Sequence, residues 1–439
     1  MSKENSGDAR LVALETLKAV EAKEAFLQPA LEAAARRAGL DGRDRGLALE
    51  LTSGVLRQLR RLDHRLKPFL RLGIENTDAH LLRILRLGVY QLDFMERVPA
   101  RAAVFEAVAQ GRRVAGEGGA KLVNAILRAV QANAEALPEG DSVEALGVRY
   151  SHPDWLVALV LDLLGPEQAP ALLAAHNRAA PLTIRSEVSA EVLTERLTAE
   201  GATLIRGRFA PDAWHLDHPS PFDAPSFTEG LWQVQDEAAQ LVAHLVDPQP
   251  GDAVWDVCAA PGGKSRHLLH LMRGAGALLS TDTHASKVQR LAAGPLADRP
   301  NVRTAVHDAR NVRDETFDRV LLDAPCSGLG TLRRHPEIRW RRTPESIGAL
   351  ADDQRRMLDA CAHAVRPAGV LIYSVCTITE AEGPAVIEDF LKRNSNFRLD
   401  VPVSGRLDLA PLRVEHGIRT WPHRHDMDGF FAARLRRLA

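Results

Sequence analysis

Cysteine is scarce in this chain: four residues in 439, at positions 258, 326, 361 and 376. Their separations of 68, 35 and 15 residues exclude a disulfide framework, a zinc knuckle and a redox pair. The spacing predicts a reduced, cytoplasmic chain without a metal site, in which any working cysteine acts as a single thiol. Long apolar runs are missing too. The most apolar stretches, 155–165 and 369–378, fall short of the roughly 18 residues that a membrane span needs, so no membrane partner is expected. Residues 1–14 are polar from the start and carry no apolar signal core. Charge of one sign is also lacking: 56 basic against 57 acidic side chains leave a net −1, which gives no global case for nucleic-acid binding. Disorder is excluded by composition, since 45% apolar and 26% charged residues are the proportions of a chain that can bury a core.

At roughly 150 residues per domain the length predicts about three domains. Residues 1–140 carry a helical period. Leu81, Leu85, Gly88 and Leu92 recur at heptad-like spacing, and Val123, Ile126, Leu127 and Val130 trace one helix face. Gly39, Asp41-Gly42 and Gly73 break the pattern and Pro99 restarts it, giving about five to seven helices. This region holds 22 Lys/Arg against 18 Asp/Glu, a local +4 that leaves −5 for the rest. A Pro- and Gly-containing linker follows at 135–142. Residues 145–235 mix helices at 153–164 and 166–176 with β-like runs such as 182–185, the pattern of a small α+β domain. From 236 to 439, short apolar runs at 253–257, 277–281, 302–306, 319–322 and 370–374 alternate with helices. That is the doubly wound α/β rhythm, in which ligands bind beyond the carboxyl ends of the strands.

The first of these strands runs into Cys258-Ala259-Ala260-Pro261-Gly262-Gly263-Lys264-Ser265 and a helix. Gly263-Lys264-Ser265 supplies the second half of a nucleotide-hydrolase P-loop, and the strand end at Asp323 a place for magnesium. Cysteine stands where the first loop glycine belongs, however, and Pro261 removes an N–H that such a loop aims at phosphate. The better reading is a turn for S-adenosylmethionine, with Gly262 and Gly263 letting backbone approach the cofactor and the helix N-terminus facing its carboxylate. Asp282 after the second strand is placed for ribose hydroxyls, Asp308 after the third for an adenine amino group, and Asp323 ends the fourth. Each alone is equally well a helix N-cap. A basic run, Arg333-Arg334-His335-Pro336-Glu337-Ile338-Arg339-Trp340-Arg341-Arg342, is the clearest candidate for RNA phosphates, with Arg333, Arg334 and Arg339 as the expected contacts.

The segments Cys258–Ser265, Asp323-Ala324-Pro325-Cys326-Ser327-Gly328 and Tyr373-Ser374-Val375-Cys376-Thr377 resemble the cofactor turn and the two cysteine motifs of RNA cytosine-5 methyltransferases. Arg57, the run from Ile84 to Leu92 and the run from Lys121 to Arg128 resemble the NusB-type helical RNA-binding domain. Tyr150-Ser151-His152-Pro153, Gln235-Asp236-Glu237-Ala238 and Asp428-Gly429-Phe430-Phe431 extend the likeness over nearly the whole chain. This arrangement is similar to the bacterial RsmB/Sun family. The resemblance implies an all-α NusB-like domain, a small α+β linking domain and a C-terminal Rossmann-like class I methyltransferase. It implies methylation of carbon 5 of one cytosine in 16S ribosomal RNA by a monomer using S-adenosylmethionine. A transfer-RNA substrate, or a silent NusB-like RNA-binding factor, is the alternative.

Carbon 5 of cytosine is a poor nucleophile until a thiolate adds to carbon 6, and free cysteine is only a few per cent thiolate at neutral pH. In the resembling family the cysteine after Thr attacks and the one after Pro assists product release. Position by position, that assigns attack to Cys376 and release to Cys326, with Asp323 placed to activate nitrogen 3. A DNA-type enzyme would attack from Cys326 and carry an E-N-V motif, which this chain lacks. Amino-group methyltransferases usually carry an aromatic where Cys326 stands. Cys258 and Cys361 read as packing residues. The sequence departs from the family pattern at Val375, usually Thr, at Gly383, usually Asn, and at His284, often a second acid. His267 and His270 read as helix surface for want of a third ligand at suitable spacing. The polar group His423, His425, Asp426 and Asp428 reads as the turn before the last strand.

Overall fold

A computed structural model describes residues 8–22, 25–294, 296–297, 299–401 and 407–439; residues 1–7 of the polar N-terminal stretch lie outside them. The chain divides into two compact units, residues 1–178 with 332–341, and residues 179–331 with 342–439.

The first unit is helical: α1 (Ala9–Glu21), α2 (Leu27–Ala38), α3 (Gly42–Leu66), α4 (Ala79–Phe94), α5 (Ala100–Ala132), α6 (Val143–Arg149) and α7 (Asp154–Ala175). Asp8, Asp41 and Asp78 cap α1, α3 and α4 by accepting from first-turn amides. The heptad-like position Gly88 is a close approach: a Cβ there would lie 2.7 Å from Leu127 of α5. Gly54 likewise makes room for the Tyr90 ring, whose hydroxyl donates to Glu50 at 2.6 Å. The two helices expected at 153–164 and 166–176 are both present along α7, separated at Gly165, whose backbone is non-helical (φ 72°), ahead of Pro166. By length and composition alone α7 would pass for a membrane span, which the short apolar run did not suggest. Its kink and its buried Leu156, Val157, Val160, Leu172 and Leu173 suit a packed helix. It belongs with the helical unit, so this unit runs past the expected boundary near residue 145.

In the second unit a four-stranded antiparallel sheet, in the order β2-β3-β1-β4, comes first: β1 (Thr183–Ser186), β2 (Thr203–Arg206), β3 (Ala213–Asp217) and β4 (Trp232–Val234). With α8 (Ala190–Ala199) it buries Ile184, Leu193, Leu197 and Trp232. A nine-stranded sheet follows. Its parallel part runs β7 (Val302–Val306), β6 (Ala277–Asp282), β5 (Ala253–Asp256), β8 (Phe317–Asp323), β9 (Val365–Val375), and β13 (Phe431–Arg437) lies antiparallel on β9. The short strands β10 (Phe397–Leu399), β11 (Arg413–Val414) and β12 (Gly417–Arg419) complete it. The five runs singled out in the sequence are β5 to β9. Helices α9 (Glu237–Val246), α10 (Gly263–Leu271), α11 (Ala285–Ala293), α12 (Pro344–His363) and α13 (Pro384–Arg393) accompany these strands. Strand order reverses between β5 and β8, and such a switch point is where a doubly wound sheet opens a ligand crevice at its carboxyl edge.

Candidate active site

β5 carries buried Val254, Trp255 and Asp256 to the carboxyl edge, where the chain turns through Cys258, Ala259, Ala260, Pro261 and Gly262 into α10. The turn is pinned to its neighbours: Val257 N donates to Leu321 O at 2.9 Å and Ala259 N to Thr281 O at 2.8 Å. Gly262 has φ 106°, a conformation other residues rarely adopt, and the space where a Cβ of Gly263 would stand is open to 4 Å. Beneath the turn Ser265 donates to Asp256 Oδ2 at 2.6 Å. Burial, and secondarily the charge of Asp323, push the Asp256 carboxyl up to about 7 against the pull of Ser265. Its other oxygen is buried with no hydrogen-bond partner among the described residues. Cys258 sits in this wall, and burial raises its thiol well above the ordinary range.

Asp282 ends β6 nearly buried, accepting from the His284 amide at 3.1 Å and from Lys287 Nζ at 3.3 Å. Asp308 follows β7, its carboxylate held by the fork of Arg310, with Nη2 at 2.7 Å, which draws its pKa down to about 2. A bare turn of positive-φ glycine, an open helix start and a nearly buried acid at the next strand end fit a cofactor bearing a carboxylate and a ribose.

The two thiols come from adjacent strand ends. β8 and β9 are paired so that Asp323 lies opposite Ser374, and Cys326 and Cys376 follow by three and two residues. Their sulfurs are 3.3 Å apart. The hydrogen bond to Cys376, burial and the charge of Glu382 hold the Cys326 thiol well above its ordinary pKa. Either sulfur can donate to the other, and the raised pKa keeps the proton on Cys326. Asp323 accepts from Lys264 Nζ at 2.7 Å and from Ser374 Oγ at 2.6 Å. Burial works against the Lys264 charge, but the Asp323 pair outweighs it and raises the ammonium pKa. A P-loop would aim that lysine at phosphates; here it is committed to Asp323. Cys361 is fully buried on α12, as its apolar surroundings predict.

Sequence reasoning missed the carboxylate that joins the two cysteine loops. Glu382 is fully buried, and five donors reach its oxygens. Oε1 accepts from the Ser327 amide at 2.7 Å and Gln354 Nε2 at 3.2 Å. Oε2 accepts from the hydroxyls of Ser327 at 2.6 Å, Thr379 at 2.9 Å and Thr377 at 3.1 Å. Arg342 holds the same loop from outside, donating to Ser327 O at 2.8 Å and Cys326 O at 3.1 Å. Its signal in the sequence was slight: an E-x-E stretch soon after the second cysteine.

The basic run does not offer the arginines that were expected to meet RNA. Arg339 is fully buried in the helical unit, where Nη1 donates to Asn177 Oδ1 at 2.9 Å, Ser151 O at 3.0 Å and Arg57 O at 3.3 Å, and Nη2 to His176 O at 3.2 Å. Burial, with the nearby Arg57 charge, lowers its pKa to about 9. Arg333 is buried as well and its carbonyl accepts from Arg57, while Arg334 is half-buried. The indole of Trp340 donates to Leu56 O at 2.7 Å and the Leu27 amide to Glu337 at 3.2 Å. These side chains serve polar groups inside the helical unit, so Arg339 is structural, and Arg333 is buried in the same segment. His267, expected on the helix surface, is fully buried, while His270 on the same helix is exposed. Pro422–His425 forms a single helical turn leading to β13, in keeping with the turn expected there.

Three families match successive parts of the chain: the NusB family at residues 7–132, the ferredoxin-like domain of RsmF/B-like methyltransferases at 152–223, and the 16S rRNA methyltransferase RsmB/F family at 243–436. The "Probable ribosomal RNA small subunit methyltransferase B" of Bacillus subtilis is 34% identical, covering 98% of this chain and 98% of its own. The "Ribosomal RNA small subunit methyltransferase B" of Vibrio cholerae is 34% identical over 90% of this chain and 89% of its own. Among solved structures, that of PH0851 is similar with a TM-score of 0.81 at 26% identity, covering 97% of this chain and 98% of that one.

Proposed function

The chain belongs to the RsmB/F family of 16S ribosomal RNA methyltransferases, and from that premise we propose that it methylates carbon 5 of a cytosine in small-subunit ribosomal RNA, in the bacterial cytoplasm, through a covalent adduct. The observation that carries the covalent reading is the pair of sulfurs 3.3 Å apart at the ends of β8 and β9, beside Asp323. Cys376 is assigned the attack on carbon 6 by its match to the attacking cysteine of the resembling family, with the Cys326 thiol, whose raised pKa keeps its proton, in contact with its sulfur. The new sulfur–carbon bond makes carbon 5 nucleophilic. S-adenosylmethionine, when bound, supplies the methyl group as a sulfonium electrophile. The turn Cys258–Lys264 would hold it, with Asp282 on the ribose hydroxyls and Asp308 toward the adenine, the latter by exchanging Arg310 for a ligand donor.

Asp323, steadied by Lys264 and Ser374, is assigned the contact to nitrogen 3 that draws electron density through the ring during attack. After methylation the carbon-5 proton must leave before the carbon–sulfur bond can break. A base takes that proton, and Cys326, a thiol in direct contact with the attacking sulfur, is assigned to the departure of the Cys376 thiolate, toward which it can donate. RNA recognition falls to the helical domain of residues 1–140 and its +4 charge rather than to the buried arginines.

The test is to incubate the protein with methyl-labelled cofactor and deproteinised 16S RNA, transfer RNA or duplex DNA, then map 5-methylcytosine. Label at one cytosine of the 16S RNA is expected. Label confined to transfer RNA would replace the substrate, and none on any of the three would return the chain to a silent RNA-binding factor.

A further inference from the structure

Three side chains that the methyl-transfer site does not use converge within the second unit. Asp212 precedes β3 of the small sheet, His244 lies on α9, and His267 on α10, the helix launched by the cofactor turn. Asp212 Oδ2 stands 3.1 Å from His244 Nε2 and 3.5 Å from His267 Nε2. The imidazole planes are perpendicular, with centroids 4.9 Å apart. His267 is fully buried and His244 nearly so, yet neither Nε2 has a hydrogen-bond partner among the described residues. The carboxylate oxygen is within ion-pair reach of both rings but outside hydrogen-bond geometry with either. His267 Nδ1 is also without a partner there, so the protein alone leaves this buried group poorly served.

Such near but misaligned contacts are what metal ligands make with one another. A tetrahedral ion with bonds of about 2.0–2.2 Å sets its ligand atoms roughly 3.2–3.6 Å apart, and each lone pair points at the ion instead of at the neighbouring ligand. The two carboxylate-to-imidazole distances, 3.1 and 3.5 Å, lie close to that spacing, and all three ligand atoms lie within 4.8 Å of one another. We propose that Asp212, His244 and His267 form a binding site for a divalent transition metal of the zinc class. Two imidazole nitrogens and one carboxylate oxygen disfavour magnesium and calcium, which take oxygen ligands. A cavity of about 300 Å³ lined by His244, Asp247, Gln249 and Arg273 reaches one of the three ligands. Arg185, whose charge His267 feels, is paired with Glu187 and Gln235. Bound there, the ion would fasten the small antiparallel sheet to two helices of the catalytic sheet. The sequence hid the site because its ligands lie 32 and 23 residues apart, on three different elements.

Cobalt(II) is the probe. Full-length protein carrying no histidine tag, stripped with chelator, is titrated with Co²⁺ and then Zn²⁺, and its metal content is measured after purification without chelator. Expected are a visible d–d band of tetrahedral intensity saturating at equimolar Co²⁺, its loss on adding Zn²⁺, and a higher melting temperature with Zn²⁺ than without. Asp212→Asn and His267→Gln, checked for native circular dichroism, are each expected to weaken Co²⁺ binding by about tenfold or more. The wild type decides the matter even where a variant fails to fold. No band and an unchanged melting temperature would make the cluster a plain hydrogen-bonded group, and variants that bind as tightly as wild type would put the metal elsewhere. Either result overturns the site.

Discussion

Cys326 and Cys376 are in hydrogen-bond contact through their sulfurs, and either can donate. Burial, the neighbouring sulfur and Glu382 all keep the proton on Cys326. If Cys376 attacks, Cys376→Ala abolishes turnover and leaves no protein–RNA adduct, while cofactor binding survives on a different strand end. Cys326→Ala permits attack and methyl transfer but stalls release. A cofactor-dependent, nuclease-sensitive band of retarded mobility is then expected on a denaturing gel, absent from the double variant. A band only in Cys376→Ala would reverse the roles. Glu382 is the residue on which both loops depend. Glu382→Ala leaves the Ser327 amide and three hydroxyls without an acceptor in a dry site, which costs about 2–4 kcal/mol. Glu382→Gln keeps part of the network while removing the charge that helps hold the Cys326 proton. It is expected to lower turnover with a smaller loss of melting temperature than Glu382→Ala. Equal melting and equal turnover in all three proteins would remove Glu382 from the positioning of the thiols. At Asp282, replacement by Ala is expected to weaken cofactor binding by about 1–3 kcal/mol, the scale of charge-assisted hydroxyl contacts, as calorimetry would read it.

At the scale of elements, the strand ends were legible and the contacts made by their loops were not. Strands β5 to β9 announce themselves as short buried runs, and the glycines and acids at their carboxyl ends follow from the need to hold a cofactor where the order reverses. Glu382 was invisible because its donors come from three segments, at Ser327, Gln354 and Thr377–Thr379, which only the fold assembles. The exposure of a charged run is equally hard to read, since arginine looks the same whether it faces phosphate or the inside of a helical unit. The break inside α7 was legible as well, because Gly165 followed by Pro166 stops one helix and starts the next. One element-scale consequence is measurable. The Asp256 carboxyl at the end of β5 titrates near 7 in the folded chain against an ordinary 3.8, so the native state binds its proton more tightly. Between those values the folded protein carries more of that proton than the unfolded one, and the contribution to stability falls as pH rises from about 4 to 7. Asp256→Asn keeps an acceptor for Ser265 and removes the titration. The difference in melting temperature between variant and wild type is therefore expected to move in favour of the variant as pH rises through this window. A difference independent of pH would mean that Asp256 is ionised throughout.

For the molecule as a whole, the helical unit is completed by ten residues from a distant part of the chain. Residues 332–341 leave the second unit after Thr331 and return to it at Arg342. Within the helical unit they satisfy groups that would otherwise be stranded: Ser151 O and His176 O by Arg339, Leu56 O by Trp340, the Leu27 amide by Glu337. Arg341 adds a bond to Ala25 O at 2.5 Å and covers the Phe26 ring. A fragment ending at residue 140 or 178 therefore lacks part of its own interior, and its stability is expected to depend on those ten residues. Fragment 8–178 is expected to melt below the same fragment mixed with excess peptide 332–341. Substituting Ala for Arg339 in the peptide is expected to cancel most of the gain, since four acceptors then lose their donor at about 1 kcal/mol or more each. In the full chain the same Arg339→Ala lowers the melting temperature but leaves the log–log salt slope of RNA binding unchanged for the folded fraction, because no phosphate contact has been lost. A slope reduced by about 0.7–0.9 with unchanged melting would return Arg339 to the RNA-contacting surface and overturn its structural assignment.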